Sequence, residues 1–303
     1  MFKENQNLIT EASSSKKLPN VVWAIILALI FLYGGSFIGA FASIPLFMIL
    51  SSYALELKSI DLIVLLISLL SFAFISFTIF FRVKVIEKRK ISSLGFERNN
   101  WMKKYLIGFV VGLVMMTLVV LLLTILGCVT IESAPSQPIG FSAIFPLLII
   151  LIGWVIQGGT EEVLARGWLM NVLGARYNIP FGLIISSIFF GMLHLGNPNV
   201  SYVAIINIVL VGLFFGLYVI KTNDLWGACG MHSAWNFAQG NLFGFEVSGL
   251  NVEVGSLIDL NLRGNDLLSG GIFGPEAGLG ATFVLLASIL VLVLLDKKGI
   301  FAK

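Results

Sequence analysis

The chain has 303 residues, of which 58% are apolar and only 12% are charged, and its net charge is +3. A water-soluble fold of this length cannot bury so much apolar surface, so the composition excludes a cytosolic enzyme, a secreted disulfide scaffold and a disordered chain. The net charge is too small to indicate nucleic-acid binding. Two cysteines, Cys128 and Cys229, provide neither a disulfide framework nor a zinc-ribbon spacing. We therefore expect lipid to surround much of the protein.

Eight apolar segments are candidates for membrane helices, since a bilayer core about 30 Å thick requires roughly 20 helical residues. In chain order they are about 21–50, 60–81, 105–127, 143–159, 180–196, 201–220, 224–240 and 279–295. The sequence thus predicts an all-α polytopic membrane protein, a bundle of about eight transmembrane helices.

The start of the chain does not resemble a cleaved signal. The first 20 residues are polar, and the apolar run after them is too long for a signal peptide. We expect Met1 to begin the mature chain and the first span to remain as an anchor. Because that span is about 30 residues long, we expect it to tilt, or to break near Gly34-Gly35 or Pro45.

The basic residues predict the orientation of the bundle. If the N-terminus is cytoplasmic, inner segments hold 17 of the 19 Lys and Arg residues, and outer segments hold only Lys58 and Arg263. We therefore expect a multi-pass protein of the plasma membrane with both termini in the cytoplasm. The basic loop 82–104 is then expected to lie against anionic headgroups.

This layout divides the chain into five regions, and pairs of glycines four apart predict close helix packing. The glycine pairs are Gly35/Gly39, Gly108/Gly112 and Gly212/Gly216. The regions are a cytoplasmic tail (1–20), a three-span region (21–142) with the basic loop 82–104, a core (143–240), a Gly-rich outer loop (241–278), and a last span with a cytoplasmic tail (279–303). The outer loop is either a poorly ordered connection or a lid over a site.

Ionisable side chains inside membrane spans are costly and are therefore candidates for function. They occur here in three short motifs. These are TEEVLAR, with Glu161, Glu162 and Arg166; FFGMLH, with Phe190 and His194; and MHSAWN, with His232 and Asn236. The chain has only two histidines, and both lie in predicted spans.

Helical spacing sorts the acidic motif. Glu162 and Arg166 are four residues apart and are expected to pair along one face. Glu161 lies about 100° around the helix from its neighbour. In a regular helix, Glu161 is thus the carboxylate that has no partner on its own helix and is expected to face the interior of the bundle.

The histidine motifs complete the set. His232 and Asn236 share one face of the seventh span, and Phe190 is expected to pack against the ring of His194. One carboxylate, two imidazoles and one amide inside a bundle are suited to activating water, and equally to holding a metal ion. Cys229 is expected to be inert, because an apolar helix disfavours its thiolate. No zincin, nucleophile-elbow or phosphate-loop motif is present.

The predicted span boundaries separate these residues in depth. Glu161 falls near the cytoplasmic end of span four, and His194 near the outer end of span five, which leaves them well over about 10 Å apart along the membrane normal. Either span four continues as a tilted helix through about residue 172, or span five begins later than residue 180.

The three motifs together resemble the CPBP family, the CAAX-protease and bacteriocin-processing family also called Abi, which includes the type II CAAX prenyl endopeptidases. The pattern E-E-x-x-x-R, F-x-x-x-H and H-x-x-x-[ND] is matched in order over about residues 143–240. The resemblance implies an intramembrane endopeptidase of the glutamate type. It also implies a membrane-embedded or lipidated substrate and no required cofactor.

The resemblance further implies a role for each motif residue. Glu161 would be the general base, and His194 would help to orient and activate the water. His232 and Asn236 would stabilise the oxyanion, with Glu162 and Arg166 in support. A zinc-dependent version would use Glu161, His194 and His232 as ligands, because this ligand set also occurs in zinc enzymes.

Two other classes of function compete with a protease. A non-catalytic membrane partner, such as an immunity or regulatory protein of the same family, has no need of an unpaired buried carboxylate. A transporter or proton channel would also place Glu and His inside the bundle. Such a protein requires a continuous polar pathway, and the sixth and eighth predicted spans contribute almost no polar residues to one. The substrate and the oligomeric state have no signal in the sequence.

Overall fold

The structure is a computed structural model that describes residues 7–15, 17–57, 60–252 and 254–300. Lys58 and parts of the predicted tails 1–20 and 279–303 lie outside the described residues. The helices are α1 (Asn7–Ser13), α2 (Val21–Leu57), α3 (Ile60–Ser71), α4 (Ala73–Phe81), α5 (Trp101–Ile125), α6 (Ile144–Glu162), α7 (Asn171–Arg176), α8 (Ile179–Leu193), α9 (Tyr202–Thr222), α10 (Trp226–Phe237), α11 (Asp266–Ser269) and α12 (Leu279–Lys297).

Short elements extend or connect these helices. π-helical turns follow α4 (Arg82–Ile86), join α6 to α7 (Val163–Met170) and follow α10 (Ala238–Leu242). Strands β1 (Val129–Ile131) and β2 (Leu260–Leu262) form an antiparallel pair, with Thr130 opposite Asn261.

All eight predicted apolar segments are largely helical, and the protein is an all-α polytopic membrane protein. Six helical stretches in the described residues are long and apolar enough to cross a membrane. They are Val21–Ser52, Ile60–Ile86, Trp101–Ile125, Gly140–Arg176, Tyr202–Thr222 and Leu279–Lys297. Helices α8 and α10 have 15 and 12 residues and are shorter than a full crossing requires. The count of eight crossings therefore stays a prediction.

The segments that connect the helices contact one another at the two ends of the bundle. At one end, Arg176 Nη1 at the end of α7 donates to the carbonyl of Leu18, before α2. At the other end, β1 after α5 pairs with β2, and Asn197 Nδ2 after α8 donates to the Ser248 carbonyl. The connections that follow α7 and α8 therefore lie at opposite ends, as is required of a chain that crosses the bundle repeatedly. The cytoplasmic side of the bundle stays a prediction.

Helix α2 runs without interruption through Pro45 and Gly34, so the break expected there does not occur. The long first span is therefore left to tilt. Gly35 lies directly against α4, because a Cβ at this position would be 2.5 Å from Ile75 Cα.

The close packing predicted from the other glycine pairs is present. A Cβ on Gly108 would collide with the backbone of Gly227, and one on Gly112 with the backbone of Met231. Helices α5 and α10 therefore meet backbone to backbone, which fixes α10 against the bundle. A Cβ on Gly212 would lie 2.9 Å from Ser187, so α9 meets α8 in the same way.

The basic loop 82–104 folds against the bundle. Glu87 is buried and accepts hydrogen bonds from Arg82 Nε, Arg89 and Trp168 Nε1 at 3.3, 2.7 and 2.9 Å. The charge of Arg89 is not available to headgroups, because it is buried in a protein ion pair. For exposed side chains such as Lys88, the contact with headgroups stays a prediction.

The outer loop 241–278 is folded as well, over all of its residues except 253, which lies outside the description. It contains β2, α11 and two 3₁₀ turns (Gly271–Phe273 and Pro275–Ala277), and it buries Phe245, Val247 and Phe273. The alternative of a poorly ordered connection is therefore wrong. We call this segment the outer segment.

Candidate active site

A cavity between α8, α9 and α10 contains most of the predicted site residues. His194, His232 and Asn236 line it together with Phe190, Trp235 and Glu276. Its interior is small, about 30 Å³, which is room for one or two water molecules. The two imidazoles therefore face one shared space.

The helix that carries Glu161 continues well past the predicted end of span four. The helical stretch runs from Gly140 to Arg176, and α8 begins at Ile179. The first of the two alternatives is therefore correct, and span four extends beyond residue 172. Glu161 thus lies within a long helix and not at its end, which removes the mismatch in depth with His194. The predicted boundary failed because the polar residues after 159 are buried in protein and not in lipid.

The predicted ion pair between Glu162 and Arg166 is present. Arg166 Nη1 lies 2.6 Å from Glu162 Oε1, and both side chains are fully buried. The guanidinium carbon lies 4.3 Å from the centroid of the Phe190 ring, which is a cation–π distance. Removal of either charge would leave the other buried without its partner.

Glu162 also fixes His232. The same Oε1 atom accepts from His232 Nδ1 at 2.9 Å. Because Glu162 is paired with Arg166 and a carboxylate only accepts, Nδ1 carries the hydrogen. The other ring nitrogen, Nε2, lies 3.6 Å from Glu161 Oε2. The result is a line of carboxylate, imidazole and carboxylate, and it leaves Nε2 as the ring atom that can gain or lose a proton.

Glu161 has a partner on its own helix, which corrects the expectation that it has none. Gln157 Nε2, four residues earlier, donates to Glu161 Oε1 at 2.7 Å. Because this partner is a neutral amide, it orients the carboxylate without cancelling its charge. Gln157 Oε1 in turn accepts from Asn236 Nδ2 at 3.0 Å. The side chain of Glu161 is 18% exposed, and it meets the cavity-lining groups through His232 and Gln157.

Asn236 keeps hydrogen-bonding capacity for a ligand. An amide nitrogen carries two hydrogens, and the contact with Gln157 uses one of them. His232 and Asn236 both line the cavity, so the shared face predicted for α10 is observed. When His232 is protonated at Nε2, two N–H groups on this helix face are available to one oxygen atom in the cavity.

His194 ends α8 and is held by its own helix. Its Nδ1 lies 2.9 Å from the carbonyl oxygen of Phe190. A carbonyl only accepts, so Nδ1 carries the hydrogen and Nε2 is an acceptor in the neutral ring. The Phe190 ring packs edge-on against His194 at 5.0 Å and against His232 at 6.0 Å. The predicted packing of Phe190 on His194 is present.

Sequence reasoning missed three residues of this site, Gln157, Trp235 and Glu276. Gln157 had a signal, since it is an amide inside an apolar span four residues before Glu161. Glu276 had none, because its sequence neighbours belong to the outer segment and it reaches the cavity only through the fold.

The three ligands proposed for zinc do not form a metal site as they are placed. Among the residues that the structure describes, no group of three His, Cys, Asp or Glu side chains is arranged to hold a metal ion. Glu161 and His232 approach each other directly, but a third ligand does not complete the group that zinc requires. No step through a metal follows from this geometry.

In a comparison with known proteins, the segment that contains these residues matches a family model. A family model, type II CAAX prenyl endopeptidase Rce1-like, matches residues 143–238. No curated protein and no solved structure matches the chain. The matched segment is less than half of the chain, and it contains all three motifs. The resemblance to the CPBP family of CAAX proteases is therefore confirmed over residues 143–238.

Proposed function

We propose that this protein is an intramembrane endopeptidase that hydrolyses a peptide bond in a membrane-associated peptide or protein. The reaction is either CAAX-type processing or processing of a bacteriocin or signal peptide. The proposal rests above all on one observation, the line Glu162–His232–Glu161 beside a cavity that His194 and Asn236 also line.

The first chemical step is attack by water. Glu161 takes a proton from a water molecule while the water oxygen bonds to the carbonyl carbon of the substrate. The orientation of Glu161 by Gln157 supports this role. His194 Nε2, an acceptor because Nδ1 is engaged by Phe190, holds the second hydrogen of the water. The carbonyl oxygen becomes an oxyanion.

The oxyanion is stabilised by donors on α10. Asn236 supplies its second amide N–H, and His232 supplies Nε2–H when the ring is protonated. Glu162 at Nδ1 favours the protonated ring, as the carboxylate does in a catalytic triad. Loss of one such donor typically lowers kcat by about 10²–10³.

Collapse of the tetrahedral intermediate breaks the C–N bond. The amine nitrogen receives the proton that Glu161 took from the water, so the acid is returned to its carboxylate form. The products are a new carboxyl group and a new amino group, and one water molecule is consumed. Glu162 and Arg166 take no part in these transfers and serve to hold His232.

The setting of the reaction follows from the membrane location of the bundle. A substrate that is embedded in the bilayer or lipidated reaches the site from lipid. We place both termini in the cytoplasm of a plasma-membrane protein, on the charge bias of the loops. Reaction of single introduced cysteines at residues 88 and 131 with a membrane-impermeant thiol reagent in intact cells tests this orientation, with labelling expected only at 131.

Cleavage by the purified protein in liposomes tests the proposal. A prenylated CAAX peptide, a bacteriocin leader and a signal peptide are incubated with the wild type, Glu161→Gln and the exposed control Glu11→Gln, and the products are identified by mass spectrometry. We expect one peptide class to be cleaved at a single bond. The rate should fall by about 10²–10⁴ in Glu161→Gln and stay unchanged in the control.

The other functions give different results in the same assay. Cleavage that disappears with a chelator and returns with zinc identifies a metal-assisted protease. No cleavage of any substrate by a folded wild type favours a non-catalytic membrane partner. Full activity of Glu161→Gln contradicts the assignment of Glu161 as the base.

A further inference from the structure

A third carboxylate, on the outer segment, lies at the same cavity. Glu276 lines the cavity with His194, His232 and Asn236, and it is only 8% exposed. Glu276 has no role in the proposed reaction steps, because Glu161 and His194 already account for the activation of water. A buried carboxylate is costly unless its oxygens accept hydrogen bonds.

Three donors converge on the two oxygens of Glu276. Oε1 accepts from the backbone N–H of Ser248 at 2.7 Å and from its hydroxyl at 2.8 Å. Oε2 accepts from Trp235 Nε1 at 3.1 Å. The Glu276 carbonyl is also held, because Asn207 Nδ2 of α9 donates to it at 2.8 Å. The side chain is therefore fixed between the outer segment and α10.

Both partners of the Glu276 carboxylate lie close to the proposed catalytic groups, Trp235 in the sequence and Ser248 through one hydrogen bond. Trp235 lies three residues after His232 and one before Asn236 on α10. Ser248 belongs to the tight turn in which Val247 and Leu250 exchange backbone hydrogen bonds. The Ser248 carbonyl accepts from Asn197, three residues after His194.

The geometry points to Glu276 as a positioning residue for the proposed reaction. It fastens the Ser248 turn to α10 and thereby sets the outer wall against which a substrate peptide lies. This inference rests on the proposed function for its consequence in catalysis, while the fastening itself is a property of the fold. Only a carboxylate satisfies all three donors, since a glutamine in its place would turn an N–H group toward Trp235 or Ser248.

Hydrogen exchange and kinetics together test this assignment. Backbone exchange over residues 245–252 is measured in detergent micelles for the wild type, Glu276→Gln and the exposed control Asp266→Asn of the same segment. We expect exchange of the Ser248 amide to rise about 10–100-fold in Glu276→Gln, the range for loss of a hydrogen bond to a charged group. Asp266→Asn should leave it unchanged.

A rescue variant separates a specific contact from general loosening. Trp235→Phe removes the indole N–H, so a glutamine at 276 can turn its oxygen toward Ser248 without opposing a second donor. In the Trp235→Phe background, Glu276→Gln should therefore raise exchange by only about threefold or less. On a cleaved peptide, Glu276→Gln should raise KM by a larger factor than it lowers kcat.

Several results would overturn the assignment. Unchanged exchange in Glu276→Gln, an equal change in Asp266→Asn, or no rescue by Trp235→Phe would each do so. A fall in kcat with unchanged KM would place Glu276 in the chemistry instead.

Two controls keep the test decisive. If Glu276→Gln unfolds, Ser248→Ala serves instead, because it removes only the hydroxyl donor to Glu276. This variant should still raise backbone exchange over residues 245–252. Unchanged exchange would overturn the assignment. If the wild type cleaves nothing, the proposed function fails, and the exchange data still decide whether Glu276 holds the turn.

Discussion

Two helical stretches of this protein have the same length, 37 residues, and differ in how much of each is buried in protein: α2, and the stretch Gly140–Arg176 that includes α6 and α7. In α2 large apolar side chains such as Tyr33 and Phe37 are 68% and 66% exposed on the surface of the bundle. In the second stretch every residue from 162 to 174 is buried. The second stretch is thus enclosed by protein from residue 162 to residue 174, whereas α2 has no comparable enclosed part in residues 21–52.

The difference shows why charges are tolerated in the middle of the second stretch, whereas α2 has no charged residue before Glu56. Glu162 and Arg166 are surrounded by their own partners, His232 and the Phe190 ring, so neither charge meets lipid. The length of an apolar segment thus indicates that a helix lies in the membrane, whereas buried polar contacts indicate where the functional site is.

Breaking the buried pair is expected to have the largest effect on stability. Arg166→Met leaves Glu162 and its charge without the guanidinium, which should lower the free energy of unfolding by about 3–5 kcal/mol. Arg176→Met is the control on the same helical stretch, because the exposed Arg176 makes a single hydrogen bond to Leu18, worth about 1 kcal/mol. Denaturant unfolding in mixed micelles measures both. Equal losses would show that burial of the pair is irrelevant.

Two adjacent glycines test the packing of α6 on α10. A Cβ on Gly158 would lie 2.9 Å from the backbone nitrogen of Ser233, whereas one on Gly159 has no atom within 4 Å. Gly158→Ala should therefore lower the free energy of unfolding by about 1–3 kcal/mol. Gly159→Ala should leave it unchanged or raise it by up to about 1 kcal/mol. The same unfolding assay applies, and a reversed order would contradict the packing described here.

The amide between Glu161 and Asn236 should affect catalysis more than stability. Gln157→Leu removes the donor to Glu161 and the acceptor for Asn236, so we expect kcat to fall about tenfold while the protein remains folded. Steady-state cleavage of the substrate peptide measures this effect. An unchanged kcat would mean that Glu161 needs no orientation from its own helix.

A substitution on the lipid-facing side of α2 should have the smallest effect. Phe37→Leu exchanges one exposed apolar side chain for another, so we expect the free energy of unfolding to change by less than about 0.5 kcal/mol. Activity should stay at the wild-type level. A large loss of either would indicate that this face contacts protein.

The parts of this account that the sequence could predict depend on local spacing. Apolar runs predicted all eight helical segments, and the separation of four residues predicted the pair Glu162–Arg166 and the shared face of His232 and Asn236. These are properties of one helix at a time.

The remaining features depend on contacts between distant segments. The polar residues after 159 ended the predicted fourth span, because hydropathy cannot distinguish burial in protein from exposure to lipid. The contact of Glu162 with His232 joins residues 70 positions apart. Glu276 reaches the cavity through the fold of the outer segment, which contains no periodic pattern.

The origin of the oxygen in the product tests the central claim most directly. Cleavage in water enriched in oxygen-18 is followed by mass spectrometry of the new carboxyl terminus, for the wild type and Glu161→Gln at equal concentration. Activation of water by Glu161 predicts one labelled oxygen in the wild-type product and at most a trace of product from the variant. Unlabelled product, or labelled product from Glu161→Gln at the wild-type rate, would contradict it.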